Sequence, residues 1–280
     1  MFSCAGCKRK NNVGVPRKPT DKNFIGKSIA IAGYSVRAIN SSAKACVLTT
    51  LTIDCFADMD LRRLADEFVH VNLETFRNAE GKLEQPSAYY LNKAIEKLAP
   101  QIRDYDYFVI GSGFENYPGY LKQIETFDNY LGNSSRTIEK IRKLDLLYPF
   151  LQQNKISFPK TSVIYVDSPD TPSNKSNMTL KIYGTPNRRI ITRETQGKIS
   201  QTNTIKEIYD KNISKFLHPP FVLKSEKSGG GFGIYLIRDR NEFVTNLKNL
   251  IELKKYPFVV QEYIKGENLS SSFLANGSKA

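Results

Sequence analysis

The chain has 280 residues, 40% of them hydrophobic and 25% charged, with a formal net charge of +13. This length supports two domains with sizeable cores, and the composition is that of a globular protein rather than a disordered or fibrous one. No apolar run approaches the ~18 residues of a membrane span, and the opening MFSCAGCKRKNNVGVPRK carries charge where a signal peptide has its apolar core, so a cytoplasmic protein with no membrane partner is expected.

Residues 1 to 25 form a basic stretch with Pro16 and Pro19 and no periodicity, and they read as a disordered tail. Cys4 and Cys7 make a C-x-x-C, half of a zinc site, but Cys46 and Cys55 are not a second close pair, so no metal site is expected within the chain. Disulfides are not expected in a reducing compartment. Lys and Arg are scattered along the sequence, the one dense run being Lys8 to Lys10. With no basic stripe and no stacking motif, the charge reads as solvated surface and no nucleic-acid partner is expected.

SIAIAGY (28 to 34) is a short buried strand stopping at Gly33, and SVRAINSSAKAC continues as a helix. VLTTLTID, ending at Asp54, reads as a second strand, and Asp60 is placed to start the next helix. A short strand over FVHVNL, a long helix from about Ser87 to Arg103 and a strand ending at Gly111 follow. Strands alternating with helices predict an α/β domain over 26–134 with a parallel sheet. In such sheets ligands sit beyond the carboxyl ends of the strands. The loops at 33–37, 57–60 and 111–115 are therefore expected to share one rim, with Ser35, Arg37, Asp58, Glu115 and Asn116 as candidate substrate-binding residues. A surface arginine beside a glycine turn is the competing reading of Arg37.

A second domain, 135–280, opens with a helical pattern from Ser135 to Gln153 and a strand in ISFPKTSVIY. The polar stretch from about 166 to 205 is either an extended hairpin or a mobile insertion. PPFVLKSEKSGGGFGIYLIRD then places a strand, Phe221 to Lys224, before a glycine-rich loop, and another, Ile234 to Arg238, after it. No Lys-Ser/Thr follows the glycines and no helix follows the loop, which excludes a P-loop and a dinucleotide fingerprint. One reading is a hairpin tip that covers phosphates: Gly229, Gly230, Gly231 and Gly233 let the backbone approach phosphate oxygens, and Lys224 supplies a cation. The other is a flexible hairpin with a surface lysine. After a helix, YPFVVQEYIKGE ends a buried strand at Gln261 to Ile264, whose backbone can meet the edge of an adenine ring while a carboxylate beyond the turn accepts ribose hydroxyls.

The order of lysine strand, SGGGFG hairpin, helix, VVQEYIKGE and LSSSFLANG resembles the ATP-grasp superfamily, and within it the carboligase-like branch related to biotin carboxylase. AGYSVRAINSSA, DCFADMDL and IGSGFENYP are similar to the α/β domain that precedes ATP-grasp in that branch, so the resemblance spans about 27 to 280. It implies a pre-ATP-grasp parallel-sheet domain followed by an ATP-grasp α+β domain. It further implies Lys224 on the α- and β-phosphates, Ser228 to Gly233 as the lid, Gln261, Glu262, Tyr263 and Ile264 as the adenine linker, and Glu267 or Asn268 at the ribose, with Lys143 as a loose match to a second nucleotide lysine. The implied cofactors are ATP and Mg²⁺. The metal ligands, a Glu and a later Glu-x-Asn, are expected beyond residue 280, so the domain reads as incomplete, a fragment or one completed by a C-terminal partner chain. The implied activity is ATP-dependent ligation of a small carboxylate to an amine or thiol through an acylphosphate. A non-catalytic nucleotide-binding or regulatory module is the alternative.

Overall fold

The computed structural model describes residues 24–166, 177–183, 191–196, 202–226, 233–253 and 256–267. The chain divides into two compact units, residues 1–144 and 145–280.

In the first unit, β1 (Ser28–Gly33), α1 (Arg37–Ala45), β2 (Thr49–Asp54), α2 (Met59–Leu64) and β3 (Glu67–His70) alternate along the chain. They are followed by α3 (Ser87–Lys97), α4 (Ala99–Arg103), β4 (Tyr107–Ile110), α5 (Leu121–Ile124) and α6 (Ser135–Arg142). The four strands form one parallel sheet in the order β3-β2-β1-β4. Period-two alternation divides β1 between two cores. Ala30 and Ala32, with Leu51 and Ile53 of β2, face Leu91 and Ile95 of α3, while Ile29 and Ile31 pack with Ala43 of α1 and Leu61 of α2. Such strands, apolar on both sides, are what a sheet covered by helices on both faces requires.

The expected helix from Ser87 to Arg103 is two helices, broken at Leu98. Pro100 sits in the first turn of α4, where its missing N–H costs nothing, whereas within a continuous helix it would remove a bond and clash with the preceding turn. The pattern over 135–153 likewise splits, because Lys143 is extended between α6 and α7 (Leu144–Gln153).

The second unit is built on an antiparallel sheet in the order β7-β6-β5-β10-β8-β9. Its strands are β5 (Thr161–Val166), β6 (Asn177–Tyr183), β7 (Ile191–Gln196), β8 (Phe221–Ser225), β9 (Ile234–Ile237) and β10 (Phe258–Glu262). The stretch that sequence left open contains β6 and β7, which pair antiparallel as a hairpin added to β5. Between β7 and β8, α8 (Thr202–Ile208) runs through a π-helical turn, Tyr209–Ile213, into a final short turn, α9 (Ser214–Phe216). Helix α10 (Arg240–Glu252) joins β9 to β10. One sheet face carries Phe221, Leu223, Phe258, Val260 and Ile164, buried against α8 and α10 through Ile205, Phe243 and Leu247. The register Lys224↔Val259 and Thr161↔Gln261 sets the alternate residues on the opposite face.

Candidate functional site

Lys224 stands on that opposite face near the end of β8, between core residues Leu223 and Ser225. Its ammonium donates to Gln261 Oε1 at 3.0 Å, and among the described residues it has no carboxylate partner. Burial lowers the Lys224 pKa from the usual lysine range. Gln261 in turn donates through Nε2 to Thr161 Oγ1 at 3.0 Å and, more weakly, to the Tyr148 phenol at 3.4 Å. The Thr161 hydroxyl donates to the Pro159 carbonyl at 2.8 Å.

Tyr148 is brought to this face by α7, which is anchored through Asp145 in its first turn. The Asp145 carboxylate accepts from Lys181 at 2.6 Å, from Tyr165 at 3.0 Å and from Tyr183. Partial burial works against that charge, but the three donors outweigh it and hold the Asp145 carboxyl below its ordinary range. The Tyr148 ring stacks on Tyr183 with centroids 4.8 Å apart and is itself buried.

Beyond β10 the remaining sequence-predicted residues spread outward. Glu262 is half-buried; its backbone N–H donates to the Lys160 carbonyl at 2.8 Å, and its carboxylate accepts from the Lys160 N–H at 3.2 Å. Tyr263 and Ile264 are exposed, as is Glu267. Gly233 adopts φ +72°, immediately before β9. Ser228, Gly229, Gly230, Gly231 and Asn268 lie outside the described residues. Lys143, in the first unit, pairs with Glu139 at 2.5 Å.

The first unit does gather its three loops on one rim. The Tyr34 N–H donates to the Ser112 carbonyl at 2.7 Å, and the Cys55 N–H reaches the Tyr34 carbonyl at 3.4 Å. Gly33 and Gly111 are needed for this closeness: a Cβ on Gly33 would lie 3.1 Å from the Gly111 Cα. Ser35 and Arg37 are exposed there, and Arg37 faces Asp60 at 3.7 Å in an exposed pair. Asp58 precedes α2 without a side-chain cap. Glu115 accepts the Gly113 N–H at 2.8 Å, and Asn116 accepts from Arg142. Glu115 also lines a small cavity of about 180 Å³ with Phe114, Leu121 and Tyr130.

Two features of these sites escaped sequence reasoning. Asp54, fully buried at the end of β2, accepts the Val36 N–H at 2.9 Å and the Phe56 and Ala57 N–H groups at 2.7 Å each, tying the first two rim loops together. Its one sequence signal is a carboxylate at the end of a strand whose other residues are threonine, leucine and isoleucine. The Tyr148–Thr161–Gln261 contacts had no local signal, since they join positions 100 or more apart. Burial, and then the Asp54 charge, push the Cys55 thiol up to about 12, so it is an inert free cysteine at neutral pH. Among the described residues no three His, Cys, Asp or Glu side chains converge as a metal site. Among the same residues no helix is long and apolar enough to cross a membrane.

The chain is thus a mixed α/β architecture, a parallel-sheet unit followed by an antiparallel sheet with Lys224 near the end of β8. Residues 187–280 match the family model described as ATP-grasp domain. A D-alanine–D-alanine ligase from Petrotoga mobilis is 41% identical over 56 residues, 20% of this chain and 18% of that protein. Among solved structures, an ADP complex of N5-carboxyaminoimidazole ribonucleotide synthetase has a TM-score of 0.50 at 16% identity, covering 86% of this chain and 48% of the other. The biotin carboxylase domain of Hydrogenobacter thermophilus 2-oxoglutarate carboxylase, in complex with MgADP and bicarbonate, gives a TM-score of 0.48 at 15% identity over 85% of this chain and 44% of the other. The chain thus spans about half the length of the solved structures it matches.

Proposed function

We propose that the chain binds ATP on the Lys224 face of the antiparallel sheet and serves an ATP-dependent ligase that joins a small carboxylate to an amine or thiol. The observation that carries this reading is Lys224: a half-buried ammonium at the strand end leading into SGGGFG, balanced among the described residues by an amide oxygen alone. A cation so placed gains from a phosphate oxygen the charged hydrogen bond that the fold does not supply. The exposed Tyr263 and Ile264 suit the edge of an adenine ring just past the strand, and Glu267 is the carboxylate for the ribose. Ser228 to Gly233 are assigned to cover the terminal phosphates and to keep water from an acylphosphate. At the rim of the first unit, Arg37 and Ser35 are assigned to an anionic group of the substrate, with Asp58 and Glu115 beside them.

Mg²⁺, when bound with ATP, neutralises the terminal phosphates. No ligands for it are assigned among the described residues.

The test is calorimetric titration of MgATP onto the full chain and onto Lys224→Ala. The expected loss is about 1.5–3 kcal/mol, the size of a charge-assisted hydrogen bond. Equal affinity in a folded variant rejects the assignment. Phosphate release, measured separately with Mg²⁺ and candidate carboxylates, distinguishes a ligase from a module that binds nucleotide without turning it over.

A further inference from the structure

We propose that Thr161 and Gln261 are positioning residues for Lys224: the Pro159 carbonyl, the Thr161 hydroxyl and the Gln261 carboxamide form a polarised chain that turns the amide oxygen onto the ammonium. This inference rests on the nucleotide reading of Lys224 for its functional meaning, although the chain itself stands on geometry alone.

The polarity follows from hydrogen-bond chemistry. A hydroxyl has one proton and two lone pairs. Thr161 commits its proton to the Pro159 carbonyl at 2.8 Å, a group that can only accept. Its oxygen is then left to accept, and what it accepts is the Gln261 Nε2–H at 3.0 Å. With its nitrogen fixed there, and toward the Tyr148 oxygen at 3.4 Å, the carboxamide has one orientation left, with Oε1 toward Lys224 Nζ at 3.0 Å. The reversed amide would place N–H against N–H at Lys224 and an oxygen lone pair against the Thr161 oxygen lone pairs at the other end.

Thr161 is fully buried, so its hydroxyl has no exchange with solvent to relax the arrangement. The strand register pairs Thr161 of β5 directly with Gln261 of β10, so backbone pairing sets the first link before any side chain chooses a rotamer. A neutral amide leaves the positive charge uncancelled, where a carboxylate at 261 would form a closed ion pair. Titratable groups nearby are the Tyr148 phenol on α7 and the Glu226 carboxylate just past β8, which acts on that phenol. Both are retained in every variant below.

The primary readout needs no nucleotide: the titration midpoint of the Lys224 ε-carbon in the free, full chain, followed by carbon NMR and assigned with Lys224→Arg. Thr161→Val keeps the shape and removes the hydroxyl, and Gln261→Met keeps the length and removes the acceptor. Both should lower the Lys224 midpoint by about half a pH unit or more, since the lost acceptor favours the charged amine. Thr161→Ser should leave it in place. MgATP affinity should follow the same order, about three- to tenfold weaker in the first two variants and near wild type in the serine.

A midpoint unmoved in either folded variant overturns the chain, as does a serine that behaves like the valine, which would show packing rather than the hydroxyl at work. If Thr161→Val fails to fold, Gln261→Met and Thr161→Ser carry the same decision. Lys224→Met separates the two ideas: wild-type MgATP affinity in it rejects the nucleotide reading, whereas the midpoints judge the positioning chain independently.

Discussion

At the scale of single residues, two positions make quantitative demands. Lys224 has its pKa lowered by burial, and a bound phosphate should restore it toward its usual value. The sign follows: binding takes up a proton between the free and bound pKa values, so ATP affinity should fall as pH rises through the free-protein value, below 10.5, and be flat well beneath it. Calorimetry in buffers of different ionisation enthalpy reads that uptake, and no uptake in the falling range would contradict it. Val47 is the second position. Leu48 N–H returns to the Ala43 carbonyl at 3.1 Å and Val47 N–H to the Lys44 carbonyl at 3.0 Å, a Schellman ending to α1 whose left-handed residue is a valine at φ +62°. A β-branched side chain there is strained, and 66% of it is exposed, so little packing offsets the strain. Val47→Gly should therefore stabilise the fold by about 1 kcal/mol, measured by denaturant unfolding; a destabilised variant would show that Val47 makes contacts worth more than its strain.

Single elements show how much of the architecture was legible. Helix α10 is announced by its own sequence: Asp239 caps it by accepting the Asn241 and Glu242 N–H groups at 2.7 and 2.9 Å, and Glu242 accepts the Arg238 N–H at 2.7 Å. Asp239→Ala should cost about 1 kcal/mol in unfolding free energy, and Asp239→Ser should restore most of it. An alanine variant as stable as the parent would mean the orphan N–H groups find other partners. Strands β1 and β4 of the first unit were equally readable, because short apolar runs stopping at Gly33 and Gly111 leave few alternatives. The hairpin of β6 and β7 was not, since its polar residues suit an exposed strand and a loop alike, and only pairing to β5 decides. The positioning chain on β5 and β10 was invisible for a related reason. Thr161 in TSVIYV looks like any strand threonine until register puts it opposite Gln261. Asp54 was missed because its partners are backbone N–H groups, which carry no sequence signature.

On the scale of the whole molecule, the charge of +13 coexists with several carboxylates held below their ordinary range. Asp66 is held there by Lys44, Asp106 by Lys27 and Glu139 by Lys143, while at Asp145 the Lys181 and tyrosine donors outweigh burial. Depressed folded values mean that this stabilisation is complete above the unfolded carboxylate pKa of about 4 and is lost as pH falls below it. The melting temperature should thus be level through mildly acidic pH and drop below about pH 4, more gently in high salt because most of these pairs are exposed. A melting temperature that rises on acidification would refute the assignment. The rim of the first unit carries a last consequence. Its sheet order invites comparison with dinucleotide-binding folds, where an acid at the end of the second strand, some 20 residues past the first glycine, receives a ribose hydroxyl. Here that acid is Asp54, and its oxygens already hold three backbone N–H groups out of water. The acid that would recognise a nicotinamide nucleotide is spent as internal mortar, which closes this edge to the sugar that its topology would otherwise welcome.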